Sequence, residues 1–316
     1  MGLPVDGPRR RAAIDIGTVT TRLLVADVTP DGRIAEVARR TQVTHLGRGL
    51  LATGELSSQG IDSVAETVAS FMSLVAQLEV DEVFAVATSA ARDASNGPRL
   101  LSTLEAIGVR PRIIPGDTEA RLSFLGATYD LDGHGILVAD LGGGSTELVV
   151  GSATPGQDGR DVVIGVARSI DVGSRRVLDM FLASDPPTAA ELRDAAEWAA
   201  AQMRPFFEAL REKPASAVVL AGTGTSLSAV RQHLVVYDPA LVHQSVLSGA
   251  DLADLREELA AMTSQQRRHV VGLDPERADV IVAGTVILET ILALAGLHEV
   301  MVSEHDILYG MVLEGA

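Results

Sequence analysis

The chain has 316 residues, long enough for two domains that each bury a core of their own. Hydrophobic residues make up 47% of it but aromatic ones only 3%, so the cores must rest on Val, Leu, Ile and Ala, which suits layered α/β packing. A net charge of −16 repels polyanions and argues against DNA as a partner, and the absence of cysteine excludes disulfides, thiolate metal sites and thiol nucleophiles.

Lys213 is the one lysine; every other basic residue is an arginine, whose planar fork suits phosphate or carboxylate. A Walker-type phosphate loop is therefore not available.

In chain order, the basic "PRRR" leads directly into "AAIDIGTVTTRLLVADV" with no apolar leader before it, so a cytoplasmic location is expected. An apolar run reaches Asp15, turns through small residues and continues as a second β-branched run, which reads as a hairpin. Apolar spacing from Ile61 to Leu78 predicts a helix. "EVFAVATSAARDASN" predicts a strand passing into a helix, and "RPRIIPGDTEARLSFLGATY" a strand, a turn at Pro115 and a helix with Glu119 in its first turn.

The stretch "ILVADLGGGSTELVVG", Ile136 to Gly151, reads as a second hairpin. At an offset of 125 residues it repeats the first: Asp15 matches Asp140, Gly17 matches Gly142, Leu23 matches Leu148 and Val25 matches Val150. The chain is therefore read as an internal duplication, two α/β halves joined by helices and sharing a cleft.

The polar "SATPGQDGRD" is expected to end a hairpin, and Thr188 with Glu191 three residues on predicts a capped helix start. "SAVVLAGTGTSLSAVRQHL" predicts a strand, a glycine turn at Gly222 and Gly224, and a helix. It lacks the third glycine of the dinucleotide fingerprint. "ADVIVAGTVILETILALAGL" has the length of a membrane span but carries Asp279 and Glu289, so a buried helix is expected and no membrane partner. The seven histidines show no paired metal spacing, and no zinc site is expected.

Glycine turns let backbone N–H groups converge on phosphate oxygens. Gly142, Gly143 and Gly144 supply such a turn, and Ser145 and Thr146, with Thr20 and Thr21 opposite, add hydroxyls. Phosphate oxygens cannot lie beside bare carboxylates without a cation between, so Asp15, Asp140 and Glu147 are candidate anchors for Mg²⁺ or Mn²⁺. Arg22, Arg48 and Arg92 lie at turns beside small residues, and together with Arg121 they are expected to form a basic stripe in an otherwise acidic surface. Glu119 reads as a helix-dipole carboxylate or as a general base. The plainer alternative leaves the glycines as tight hairpins and the acids as solvated turn residues.

The ordered set "AIDIGTVTTRLLVADV", "ATSAARDASN", "IIPGDTEARLSFLGA", "VADLGGGSTELVVG", "AGTGTSLSAV" and "RADVIVAGTVIL" resembles the exopolyphosphatase and guanosine pentaphosphate phosphohydrolase (Ppx/GppA) family over nearly the whole chain. The resemblance implies two ribonuclease-H-like domains of the actin, Hsp70 and sugar-kinase superfamily around a cleft, with Mg²⁺-dependent hydrolysis of a terminal phosphate. It implies Glu119 as catalytic base, Asp140 to Glu147 as the second phosphate loop, Arg92 as a substrate-facing arginine, Arg22 beside the first loop, and a homodimer. Inorganic polyphosphate, in short chains, is the expected substrate, with guanosine pentaphosphate as the rival; a superfamily kinase or ATPase, or a weakly catalytic sensor, stays open. Longer relatives carry further helical domains, so the chain resembles the short form. The first domain is expected over 1–117, with the tail 298–316 packing on it, and the second over 118–297.

Overall fold

The computed structural model describes residues 7–156 and 159–315. Two mixed sheets carry the chain. In the first, β1 (Arg9–Ile16), β2 (Thr20–Val28) and β3 (Ile34–Val43) are antiparallel, while β4 (Glu82–Ala87) and β5 (Arg112–Ile113) run parallel to β1, in the order β3-β2-β1-β4-β5. The second holds β6 (Gly133–Leu141), β7 (Thr146–Gly156), β8 (Gly159–Ile170), β9 (Ser216–Leu220), β10 (Val246–Ser248) and β11 (Glu299–Val302), in the order β10-β11-β9-β6-β7-β8.

Read from β8, the second sheet repeats the first and adds β10 at its edge. This is the ribonuclease-H-like order twice over. The repeat holds to the residue, because Asp15 pairs with Arg22 across the first hairpin and Asp140 with Glu147 across the second.

Strand periodicity decides what each face meets. In β1, Ala12, Ile14 and Ile16 pack on an outer layer made by α1 (Leu50–Thr53), α2 (Ser58–Gln77), α3 (Ser89–Asp93) and α4 (Gly97–Ala106), while Ala13 packs inward. Asp15 shares the inward parity of Ala13 and therefore faces the centre of the molecule. In β6, Leu137, Ala139 and Leu141 pack outward, and Ile136 and Val138 inward with Asp140.

The inner layer consists of α5 (Gly116–Ala127) against the second sheet and α13 (Ile307–Glu314) against the first. The two helices cross at backbone contact. A Cβ on Gly126 would stand 1.8 Å from the Asp306 carbonyl oxygen, and one on Gly310 2.0 Å from that of Leu122, so only glycine permits the crossing.

The outer layer of the second sheet is built from α6 (Ser174–Phe181), α7 (Ala189–Glu208), α8 (Ala221–Arg231), α9 (Pro239–Val242), α10 (Gly249–Ala260), α11 (Ser264–Arg267) and α12 (Ile281–Ala295). Thr188 and Glu191 form the expected reciprocal cap on α7. The apolar segment after Ala278 is the buried α12. Among the described residues no helix is long and apolar enough to cross a membrane.

Two expectations change. Gly222 and Gly224 lie inside α8, which starts at Ala221 with a left-handed φ of 63°, so the chain turns in one residue instead of through a glycine loop. The C-terminal segment divides: β11 belongs to the second sheet and only α13 packs on the first. The "SATPGQDGRD" segment ends a hairpin as expected, with most of it in strand: β7 reaches Gly156 and β8 starts at Gly159, and its tip at 157–158 lies outside the described residues.

Candidate active site

The two hairpin turns face each other between the sheets, close to the start of α5. A small cleft there, about 50 Å³, is lined by Asp15, Thr18, Glu119, Asp140, Gly143 and Glu147 among others. The turns touch: a Cβ on Gly143 would lie 2.4 Å from Val19, and one on Gly144 2.4 Å from the Ser89 hydroxyl. Bare backbone at this point lets the second turn close over the first. The N–H groups of Thr18, Val19, Gly143 and Gly144 have no acceptor among the described residues and remain for a ligand.

Four carboxylates meet in this cleft, all buried. Asp15 Oδ2 accepts both Nε (3.1 Å) and Nη2 (2.6 Å) of Arg22, while its Oδ1 is buried with no hydrogen-bond partner. Asp140 accepts from Ser123 at 2.5 Å, and Glu147 Oε1 accepts from Ser145 (2.9 Å) and Ser169 (2.7 Å). Glu119 Oε2 accepts from Arg92 at 3.2 Å.

Burial pushes all four carboxyls up. Asp140 rises to about 6, chiefly by desolvation, and Glu147 to about 8 by desolvation and repulsion from Asp140. Glu119 stands well above its ordinary value through desolvation and the neighbouring charges of Glu147, Asp15 and Asp140. An acid cluster kept from water in this way is one that a cation would stabilise.

Matches to known proteins agree with this geometry. The Ppx/GppA phosphatase family matches residues 24–315. The chain belongs to that family. It is 38% identical to exopolyphosphatase 2 of Mycobacterium tuberculosis over 323 residues, covering 96% of this chain and 98% of the relative. Among solved structures, an exopolyphosphatase-like protein superposes with a TM-score of 0.90 at 32% identity, covering 98% of both chains. The exopolyphosphatase from Cytophaga hutchinsonii gives 0.85 at 26% identity, covering 98% of this chain and 99% of that one.

Of the residues singled out in the sequence of this Ppx/GppA member, the cleft gathers Asp15, Thr20, Arg22, Glu119, Asp140, Gly142, Gly143, Gly144, Ser145 and Glu147. Thr21 and Thr146 point away. The Thr21 hydroxyl meets that of Thr44 at 3.1 Å, and Thr146 donates to the Val172 carbonyl at 2.5 Å, so both serve the packing behind the turns.

The expected basic stripe does not form, because each of its arginines has an acid. Arg22 is held on one edge by Asp15 and on the other by Asp306; Arg92 binds Glu119; Arg48 approaches Asp279 at 3.9 Å; Arg121 pairs with Glu314. Arg92 thus reaches the cleft through Glu119.

Arg277 is the arginine that sequence reasoning missed. Half-buried and held below its ordinary pKa by desolvation, it makes no side-chain hydrogen bond or ion pair among the described residues. It lies where the cleft opens into a larger cavity of about 560 Å³. Ser89, whose hydroxyl is likewise buried without a partner, lines the opposite side. The "RADVIV" motif contains Arg277, yet its solitude depends on the tertiary fold.

Two histidines thought scattered also meet. His243 Nε2 lies 2.8 Å and His305 Nδ1 3.3 Å from the two oxygens of Asp130. His243 Nδ1 accepts the Glu304 N–H at 3.2 Å, which places the ring proton on Nε2, directed at Asp130. A metal ligand would need that lone pair, so the cluster is a hydrogen-bonded clamp between segments.

Proposed function

We propose that the chain is an exopolyphosphatase, releasing orthophosphate from the end of inorganic polyphosphate. The observation that carries the reading is the convergence of two phosphate-accepting turns on four buried carboxylates, one of them on the helix start that faces both turns. Its family and its exopolyphosphatase relatives support it.

The free backbone N–H groups of both turns and the unpaired Arg277 would hold phosphate oxygens. Asp15, Asp140 and Glu147 fit a divalent cation, Mg²⁺ in the first instance: all are oxygen donors, and Asp15 Oδ1 is buried without a partner. Bound there, the cation would offset phosphate charge and polarise the phosphoryl group.

Glu119 then takes a proton from water as the water oxygen bonds to the terminal phosphorus and the anhydride P–O bond breaks. Its raised pKa suits a proton acceptor, and Arg92 fixes the orientation of its carboxylate. Arg22, with both edges taken, acts as an anchor for Asp15 instead of a phosphate ligand.

The test is orthophosphate release from short polyphosphate, with and without Mg²⁺. Glu119→Gln should lower turnover about 10²- to 10⁴-fold while leaving substrate binding nearly intact. Unchanged turnover would remove Glu119 from the reaction. Retained tight binding with no turnover in either protein would favour a sensor.

One observation favours a second substrate. The 560 Å³ cavity beyond Arg277, walled by Leu234, Val235, Tyr237 and Leu273, has room for the nucleoside of guanosine pentaphosphate. Parallel release assays on the two substrates rank them. The domain limits, 1–117 for the first and 118–297 together with β11 for the second, with α13 returning to the first, and a homodimer complete the proposal; sedimentation tests the dimer.

A further inference from the structure

Asp306 lies in the link between β11 and α13, far in sequence from both phosphate turns, and is 4% exposed. Its Oδ1 caps α13 by accepting the Leu308 N–H at 2.9 Å, and its Oδ2 accepts Nη1 of Arg22. Its backbone is seated on Gly126 of α5, and Arg39 of β3 comes within 3.9 Å of Oδ2 while donating to the neighbouring Glu304 carbonyl at 3.1 Å. The carboxylate is thus a fixed post, held by the start of α13, by Arg22 and by the approach of Arg39.

Arg22 is the part it fixes. One edge of the guanidinium belongs to Asp306 and the other, Nε with Nη2, to a single oxygen of Asp15. A planar fork bound on both edges cannot rotate without losing one of them. Asp15 is therefore held by Oδ2 alone, and its Oδ1 is left bare at the cleft.

We propose that Asp306 is a positioning residue: acting through Arg22, it orients Asp15 so that the free carboxylate oxygen is presented to the divalent cation. This rests on the reading above that a cation binds at Asp15. Asp306 does not touch cation or substrate in this role. An ion pair that served folding alone would change stability and leave metal affinity where it was.

The experiment measures Mn²⁺ binding to the full chain in the absence of substrate, from the electron paramagnetic resonance signal of free Mn²⁺. Wild type is compared with Asp15→Asn, Asp306→Asn, Arg22→Gln and the double variant Asp306→Asn/Arg22→Gln. Asn retains the ability to cap α13, so Asp306→Asn isolates the charge. Its Mn²⁺ dissociation constant should rise about 10-fold or more, as when a group supporting a metal ligand is removed. Arg22→Gln should do the same, and the double variant should be no weaker than Arg22→Gln alone.

If Asp15→Asn weakens Mn²⁺ binding while Asp306→Asn stays within about twofold of wild type, the positioning role is overturned and the cation reading stands. If Asp15→Asn changes nothing, the cation reading fails and the positioning role with it. Should Asp306→Asn fold poorly, Arg22→Gln decides alone: Mn²⁺ affinity unchanged in that variant overturns the relay.

Discussion

The two hairpins share the turn and the register beside it, yet they carry opposite electrostatics at one position. Across from Asp15 stands Arg22; across from Asp140 stands Glu147. The first copy anchors one oxygen of its aspartate on an arginine and leaves the other bare. The second sets two carboxylates side by side out of water and lifts both pKa values, to about 6 and about 8. With a single change of charge, one scaffold thus presents a fixed, half-bare aspartate in one copy and a close pair of carboxylates in the other.

That contrast breaks most sharply if the second copy is made like the first. Glu147→Arg should pair with Asp140, remove the cation's ligands and cut Mg²⁺-dependent phosphate release about a hundredfold or more. Activity that survives with its Mg²⁺ dependence intact would mean the cation sits elsewhere.

Next in size is Arg277, the charge neither hairpin supplies. Arg277→Ala should lower kcat/KM about 10- to 100-fold, the range for one hydrogen bond to a charged group. Because no acid in the protein is left behind unpaired, the melting temperature should fall little. A large loss of stability with normal kinetics would make Arg277 structural.

The pH dependence reports on the carboxylate cluster without mutation. Asp140 and Glu147 have folded pKa values above those of the unfolded chain, so their contribution is full below about pH 4 and is lost as pH rises through about 6 and then about 8. The metal-free protein should melt lower at pH 9 than at pH 5, and Mg²⁺ should restore stability most at the upper end. A melting profile in which Mg²⁺ acts equally at both ends would contradict the assignment.

The smallest effect concerns the threonines. Thr21→Val removes the partner of Thr44 and should cost about 1 kcal/mol of stability with activity almost unchanged, whereas Thr20→Val should act on KM. Urea melts and initial rates on both variants check the pair.

Much of this was legible in the sequence. The 125-residue repeat exposed both hairpins, the acids at their turns and the doubled fold; the helix start at Glu119 was legible too, but its role as base came from the resemblance to the family. The parity of a strand would even have separated Thr20 from Thr21, since alternate side chains take opposite faces. What stayed hidden depends on distance in the chain. Arg22 looked free for phosphate because its second acid, Asp306, lies 284 residues away, and Arg277 is notable only for partners it lacks. The clamp of Asp130, His243 and His305 is assembled from three segments with no common motif.

The position of α13 also bears on how the molecule is made. The inner face of the first sheet, at Ala13, Leu24 and Ala26, is covered by Ile307, Leu308 and Met311. During synthesis that sheet, complete at Ile113, stays half bare until α13 begins at Ile307, about two hundred residues later. Its early strands must wait, shielded or chaperoned, until α13 has been made.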